Sequence, residues 1–278
     1  MTLTQNTAQA APPGGTYAIG GDMPVARIGF GTMRLTGPGT WYHGDEAQAK
    51  RLLRRAYELG VTHFDTADAY GPESAEHYLR KALRRYADGY PDGVVIATKG
   101  GYTRQGPDLW AVCGRPEYLM QCIAMSLRRL ALERIDLYYL HRVDPKVPFD
   151  EQIAVLAEAK AAGTIRHIGL CRVTLPQLRA AQAITPIAAV QNRFNHLQGD
   201  TTVLEYCAAN GIAFVPFAPF AAGQLFDGAP AERTGHLAQR ELVRLLQLGE
   251  CVLPIPGTTS LTHLEKNCRA EREARYAH

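Results

Sequence analysis

No apolar run in this chain approaches the ~20 residues that a membrane-spanning helix needs, so no membrane partner is expected. Charge of one sign is also lacking. The formal net charge is +3, with Lys and Arg scattered among Asp and Glu, which leaves no basic stripe for nucleic acid. The six cysteines (Cys113, Cys122, Cys171, Cys207, Cys251, Cys268) are widely spaced, with no C-x-x-C pair and no His at zinc-finger distance. That spacing argues against a metal site or a disulfide framework and for reduced, mostly buried thiols in a cytoplasmic protein. The opening MTLTQNTAQAAPPGG has neither a basic segment nor an apolar h-region, and residues 1–15 read as a disordered leader. What remains is ordinary globular composition: 278 residues, 46% hydrophobic and 21% charged, enough for one large core over residues 16–278.

Within that span short β-rich runs alternate with amphipathic helices. A hairpin is expected around Tyr17 to Pro24, followed by a first buried strand over Arg27–Thr32 and a helix over Asp45–Gly60 that starts acidic and stops on glycine. Strands then follow at Val61–Ala67, Val94–Lys99, Ile135–His141, Ile165–Leu170, Ala188–Arg193, Ile212–Phe217 and Cys251–Pro256. Each precedes a helix: Glu73–Tyr86, Pro116–Leu132, Phe149–Gly163, Leu175–Ile184, Thr201–Gly211, Ala238–Gly249 and Leu261–Arg275. Eight such pairs, with near-continuously apolar strands, predict a closed parallel (β/α)8 TIM barrel rather than an open sheet. No G-x-G-x-x-G follows the first strand, which argues against a Rossmann dinucleotide site.

Active sites of such barrels lie at the C-terminal ends of the strands. Asp65 ends the second strand with Tyr70 in the turn after it, Lys99 ends the third, and His141 ends the fourth. Taken singly, an Asp before a turn is a cap, a Lys after a strand is solvated, and a His in an apolar strand is a core residue. At the mouths of three consecutive strands they make a proton-donating set. A free Tyr titrates near about 10, and an adjacent ammonium from Lys99 is expected to lower that value. Asp65 would hold the charge on Lys99, and His141 would orient a carbonyl or donate to its oxygen. No Ser or Cys is paired with a base, so the electrons for carbonyl chemistry must come from a cofactor, most simply as hydride from a nicotinamide.

In order and at matching spacing, FDTADAYG, ATKGG, LYYLHR, IRHIGL, VQNRFN and LPIPGTTSLTHLEKN resemble the landmarks of the aldo-keto reductase family, from about Ile28 to about Asn267. The resemblance implies an NADP(H)-dependent carbonyl reductase with Tyr70 as general acid and Asp65, Lys99 and His141 beside it. It also implies cofactor contacts from Gly31, Thr32, Met33, Asp65, Cys171 and Arg172, with Gln191 on the carboxamide and Phe217 stacked on the nicotinamide. Ala218, Phe220, Ala221 and Ala222 would line the pyrophosphate loop, and Ile255, Pro256, Gly257, Thr258, Thr259, His263 and Asn267 would hold the adenosine phosphate end. Independently of it, Gly257, two hydroxyls and a helix N-terminus suit a phosphate, while GTTS alone also reads as a helix cap.

The chain departs from the family where Cys171 and Arg172 replace a common Ser-Asn pair. Arg172 offers donors and no acceptor, so it can serve only the carboxamide oxygen, and a shifted nicotinamide is expected. Arg244 stands where relatives often carry Trp, and the chain ends at ARYAH soon after the last helix, which predicts an open pocket or one completed by a second subunit. These departures keep open an NADPH-binding regulatory protein and a non-redox pathway enzyme on the same barrel, and both a monomer and a homo-oligomer. The long loop Gly101–Gly114 supplies Tyr102 and Trp110, and the chain after strand one supplies Trp41 and Tyr42, as walls for a small-molecule carbonyl substrate or as rim packing. Arg104 and Arg142 are read as contacts to an anionic substrate or as solvated surface.

Overall fold

A computed structural model describes residues 10–84, 89–228 and 230–274. The chain folds as a (β/α)8 barrel with an N-terminal antiparallel hairpin, β1 (Thr16–Ile19) and β2 (Met23–Ala26). Seven staves follow: β3 (Phe30–Gly31), β4 (His63–Asp65), β5 (Val95–Gly100), β8 (Ile135–Leu140), β9 (Ile165–Cys171), β10 (Ala189–Gln191) and β11 (Ala213–Phe214). They pair in parallel in the order β11-β10-β9-β8-β5-β4-β3. Between β5 and β8 the chain makes a second hairpin, β6 (Tyr102–Gly106) and β7 (Leu109–Val112), where the sequence suggested only a loop.

The eighth stave explains why two strands are shorter than their patterns. Residues 251–256 read CVLPIP, and Pro254 and Pro256 have no N–H to donate. They still accept: Gly29 N donates to Pro254 O at 2.9 Å and Gly31 N to Pro256 O at 3.4 Å, while Phe214 N donates to Cys251 O and Leu253 N to Phe214 O at 2.8 Å each. The barrel therefore closes through half a ladder, with one bridge from Phe214 to Val252 and no regular strand at either the predicted first or eighth position beyond Phe30–Gly31.

Helices α1 (Glu46–Glu58), α2 (Ser74–Leu83), α3 (Pro116–Leu130), α4 (Phe149–Ala161), α5 (Leu175–Gln182), α6 (Thr201–Ala209), α7 (Ala231–Gln247) and α8 (Leu261–Ala274) cover the staves. Their starts follow local chemistry. The Asp45 carboxylate accepts from Gln48 N, Pro116 opens α3, and Thr174 and Gln177 form a reciprocal capping box on α5. Helix α7 begins at Ala231, earlier than Ala238, and the predicted end of the second helix falls partly at residues 85–88, outside the described residues.

Inside the barrel Val95, Ala97, Leu137, Tyr139, Ala189, Val215, Leu253 and Ile255 form one buried cluster, which Ile19, Met23 and Val25 of the first hairpin join. The hairpin thus plugs the N-terminal end of the barrel, leaving only the opposite end open for chemistry. Its turn is clasped by Asp22, which bonds His167 Nε2 at 2.6 Å and Arg166 Nη2 at 2.9 Å. Of the expected leader, residues 1–9 lie outside the described residues, whereas residues 10–15 are tied down: Ala10 N donates to Glu58 O and Ile28 N to Pro13 O.

The closure sets a tight steric limit. A β-carbon at Gly31 would lie 2.8 Å from Ile255 O, and one at Gly257 would lie 2.7 Å from Gly31 O. Both clashes are with backbone, which cannot swing away. Gly31→Ala and Gly257→Ala are each expected to destabilise the fold by about 1–3 kcal/mol, read as a lowered urea midpoint.

Candidate active site

The staves deliver four polar side chains to one end of the barrel. Asp65 closes β4, Lys99 is the fifth residue of β5, His141 directly follows β8, and Tyr70 sits in the turn between β4 and α2. Lys99 is 0% exposed, Asp65 2%, His141 6% and Tyr70 7%. A buried ammonium is costly unless fully partnered. Lys99 Nζ donates to Asp65 Oδ1 at 2.5 Å and to Thr66 O at 2.7 Å, and it lies 5.2 Å from the centre of the Tyr70 ring. The other carboxylate oxygen of Asp65 accepts from Gln191 Nε2 at 2.7 Å, so both of its oxygens are fixed.

These contacts set the charge states. Burial opposes the charge on Lys99, but Asp65, Tyr70 and Cys171 together outweigh it and hold the ammonium above its ordinary value. Tyr70 departs from the sequence-based expectation. Burial pushes its pKa up to about 12, and the Lys99 charge, already neutralised by Asp65, recovers only part of that rise. Tyr70 is therefore a fully protonated phenol through the neutral range. Burial, with Lys99, Arg172 and Arg104 adding to it, drives the His141 pKa well below its ordinary value, so the imidazole is neutral and offers a single ring N–H.

Around the tetrad the rings of Tyr70, Tyr102, Trp110 and His141 meet edge to face, with centroids 4.8–6.5 Å apart. They form one wall of a cavity of about 840 Å3 that runs from the tetrad towards α8. Of the predicted cofactor residues, Gly31, Met33, Asp65, Cys171, Arg172, Gln191, Phe217, Ala218, Phe220, Ala222, Ile255, Gly257, Thr258, Thr259, His263 and Asn267 line it. Thr32, Ala221 and Pro256 lie behind the lining, buried among the staves and the turn after β11. Lys99 also stands behind the wall, reaching the cavity only through Tyr70 and Asp65. Of the predicted substrate walls, Tyr102 and Trp110 line the cavity, whereas Tyr42 is 52% exposed and Trp41 packs over Arg104 outside it.

Several basic residues were left with two readings or were missed. Arg142 does not line the cavity, and Arg104 cannot serve a substrate anion because its donors are all taken by backbone carbonyls of Gly39, Thr40, Ala69, Gly106 and Leu109. Arg244 pairs with Glu241 at 2.7 Å on α7. Arg34, Arg193 and Lys266 line the cavity unforeseen, although Arg34 follows Met33 and Lys266 stands three residues from His263, one helical turn. Arg172, held in the left-handed region at φ 56, lies with its guanidinium 4.9 Å over the Phe217 ring. In GTTS both readings of the hydroxyls have substance: Thr258 Oγ1 accepts from Ser260 N at 3.0 Å and Ser260 Oγ from His263 N at 3.3 Å, while Thr258 and Thr259 also face the cavity.

Behind Tyr70 lies a further titratable cluster. Glu76 is buried between Arg129 Nε at 2.5 Å and Thr98 Oγ1 at 2.6 Å, and beside it burial and the Glu76 charge raise the Asp68 pKa to about 7. An unfolded Asp titrates near about 3.9, so between about pH 4 and 7 the unfolded chain releases a proton that the fold retains. The stability conferred by the neutral Asp68 carboxyl is thus complete below the unfolded value and lost as pH rises through the folded one. Asp68→Asn removes this titration, and its urea midpoint is expected to fall less than that of the unaltered protein between about pH 5 and pH 8.

With the geometry established, comparison places it among known proteins. Residues 27–249 match the Aldo/keto reductase family. An uncharacterized oxidoreductase of Schizosaccharomyces pombe is 43% identical over 276 residues, covering 95% of this chain and 87% of that protein. The glycerol dehydrogenase of Gluconobacter oxydans, 21% identical, shares the fold at a TM-score of 0.80 over 94% of this chain and 93% of its own. An aldo-keto reductase of Klebsiella pneumoniae, solved in complex with NADPH, is 25% identical with a TM-score of 0.72, covering 94% and 93%.

Proposed function

The chain belongs to the aldo/keto reductase family, and from that premise we propose that it is an NADP(H)-dependent carbonyl reductase in which Tyr70 protonates the oxygen of a small aldehyde or ketone. One observation carries the reading: a fully buried Lys99 ammonium, held by Asp65, stands against a Tyr70 phenol that burial keeps protonated at the floor of the cavity. An alkoxide developing on a reduced carbonyl is a far stronger base than a phenolate, so an acid of this strength can still deliver its proton, and Lys99 stabilises the phenolate left behind. His141, neutral and lining the same cavity, adds a hydrogen bond to the carbonyl oxygen and so fixes its direction.

The cavity suits a nicotinamide dinucleotide on its own chemistry. Gly31 and Gly257 face it without side chains, Phe217 offers an aromatic face, and Arg34, His263 and Lys266 gather beside Thr258, Thr259 and Asn267 at the α8 end. That cationic end fits the extra phosphate of NADP(H) better than the bare ribose of NAD(H). Gln191 donates one amide N–H to Asp65 and its Oε1 can accept from a carboxamide, and Arg172 can donate to the carboxamide oxygen. When bound, the reduced nicotinamide supplies the hydride. The Klebsiella relative, solved with NADPH, supports the same cofactor here.

The alternative, a regulatory protein that binds NADPH without turnover, is favoured by one observation, the Arg172 guanidinium lying over the ring that a nicotinamide would need. A single experiment separates the two. NADPH oxidation with 4-nitrobenzaldehyde is expected for the unaltered protein and should fall by about 10²–10⁴ in Tyr70→Phe, with NADPH affinity retained. No oxidation of NADPH across a broad aldehyde and ketone panel would sink the reductase reading.

A further inference from the structure

Arg104 stands half-buried beside the cavity without lining it, and its donors are spent on the backbone. A guanidinium carries five N–H donors in a rigid plane. Here each has its own carbonyl: Nε donates to Leu109 O at 3.0 Å, Nη1 to Thr40 O at 2.7 Å and Ala69 O at 2.6 Å, and Nη2 to Gly39 O at 2.9 Å and Gly106 O at 3.3 Å. Those carbonyls belong to three separate segments. Gly106 and Leu109 are in the β6–β7 hairpin, Gly39 and Thr40 are in the turn after β3, and Ala69 immediately precedes Tyr70.

The backbone is bent to present them. Gly39 and Thr40 take φ of 64° and 49°, and Asp108, at the hairpin tip, takes 56°; for Thr and Asp this region is unfavourable and calls for a compensating contact. Thr40 O also accepts from Gly71 N at 3.1 Å, so the carbonyl that Arg104 holds is tied to the residue on the other side of Tyr70. The guanidinium carbon Cζ lies 3.7 Å from the centre of the Trp110 ring and 5.7 Å from that of Trp41. Trp110 in turn contacts Tyr70, Tyr102 and His141 edge to face.

We propose that Arg104 is a positioning residue: through the Ala69 carbonyl and the Trp110 ring it fixes the turn that carries Tyr70 and the aromatic wall against which a carbonyl substrate lies. Its effect on turnover rests on the reductase reading above, but its hold on Trp110 does not. Lysine cannot take the place. An ammonium has three donors around one point and no plane to stack, so at most part of the three-segment tie would survive. The residues proposed to hold the cofactor lie on β3 and the turn after it, on β4, β9 and β10, after β11, before α8 and on α8, and none of them is on this hairpin, so NADPH binding is not expected to depend on it.

The chain has two tryptophans, and both sit at this guanidinium, which gives the test a direct readout. In a Trp41→Phe background, where Trp110 is the sole indole, Arg104→Lys should shift tryptophan emission to longer wavelength while far-UV circular dichroism and NADPH affinity by calorimetry stay unchanged. In the same protein kcat/KM for 4-nitrobenzaldehyde should fall by about tenfold or more, with KM rising. Arg104→Ala, if it folds, should show a larger loss. Unshifted emission together with an unchanged KM overturns the proposal, and so does a loss of turnover accompanied by loss of NADPH binding, which would make Arg104 a general prop of the fold. If the unaltered protein turns over no carbonyl at all, the reductase reading fails by itself, and the emission of Arg104→Lys still decides whether the guanidinium holds Trp110.

Discussion

A lysine with no exposed surface cannot stay charged in an apolar barrel without a fixed counter-ion. The Lys99–Asp65 contact meets that demand, and much of the site is arranged around it. Asp65 is held from its other side by Gln191, which commits a residue from β10 to the same pair, and Lys99 is tied to the backbone at Thr66. The consequence reaches Tyr70. Because Asp65 already cancels much of the ammonium charge, burial dominates the phenol and leaves it a weak acid that is always loaded with its proton. His141 is neutral for the same reason, since burial and nearby cations both disfavour a second positive charge.

The barrel supplies the dryness that this arrangement requires. Its base is plugged by the first hairpin, its wall is closed by a stave whose two prolines contribute carbonyls alone, and its mouth is narrowed by the second hairpin. The two hairpins differ in how they are held. The first is clasped by Asp22, which bonds Arg166 and His167, and packs apolar side chains inward. The second is long and polar and has little core of its own, so its attachment falls to Arg104 and to the aromatic rings it brings beside Tyr70. A guanidinium saturated by neutral carbonyls makes a stiff joint between three segments of the chain.

Much of the fold was legible in the chain because the period of the pattern is a local property. Alternating β-rich and helical runs, Gly60 after the first helix, Pro116 at the start of the third and the capping pair Thr174 and Gln177 can each be read within a few residues. The strand lengths could not be read that way. RIGFGT and CVLPIP look like full strands, but their pairing depends on each other across the closure of the barrel, where the prolines of one deny donors to the other. The tetrad was legible from its register at the strand ends, and the α8 end of the cavity from GTTS and HLEKN. Arg34, Arg193 and Lys266 escaped because a lone basic residue carries no signal until the fold turns it towards a cavity.

The sequence by itself determined the alternation of staves and helices, the family, and which residue types meet at the strand mouths, since these follow from spacing and from the chemistry of side chains, while the second hairpin came only with the fold. The tertiary structure alone decided their states. Whether Tyr70 is sharpened or weakened as an acid depends on the balance of burial against the Lys99 charge, and burial is a sum over neighbours distant in the chain. Whether Arg104 meets an anion or bolts a wall depends on where five carbonyls from three segments come to point. Both are questions of what surrounds a group, and only the folded chain assembles the surroundings.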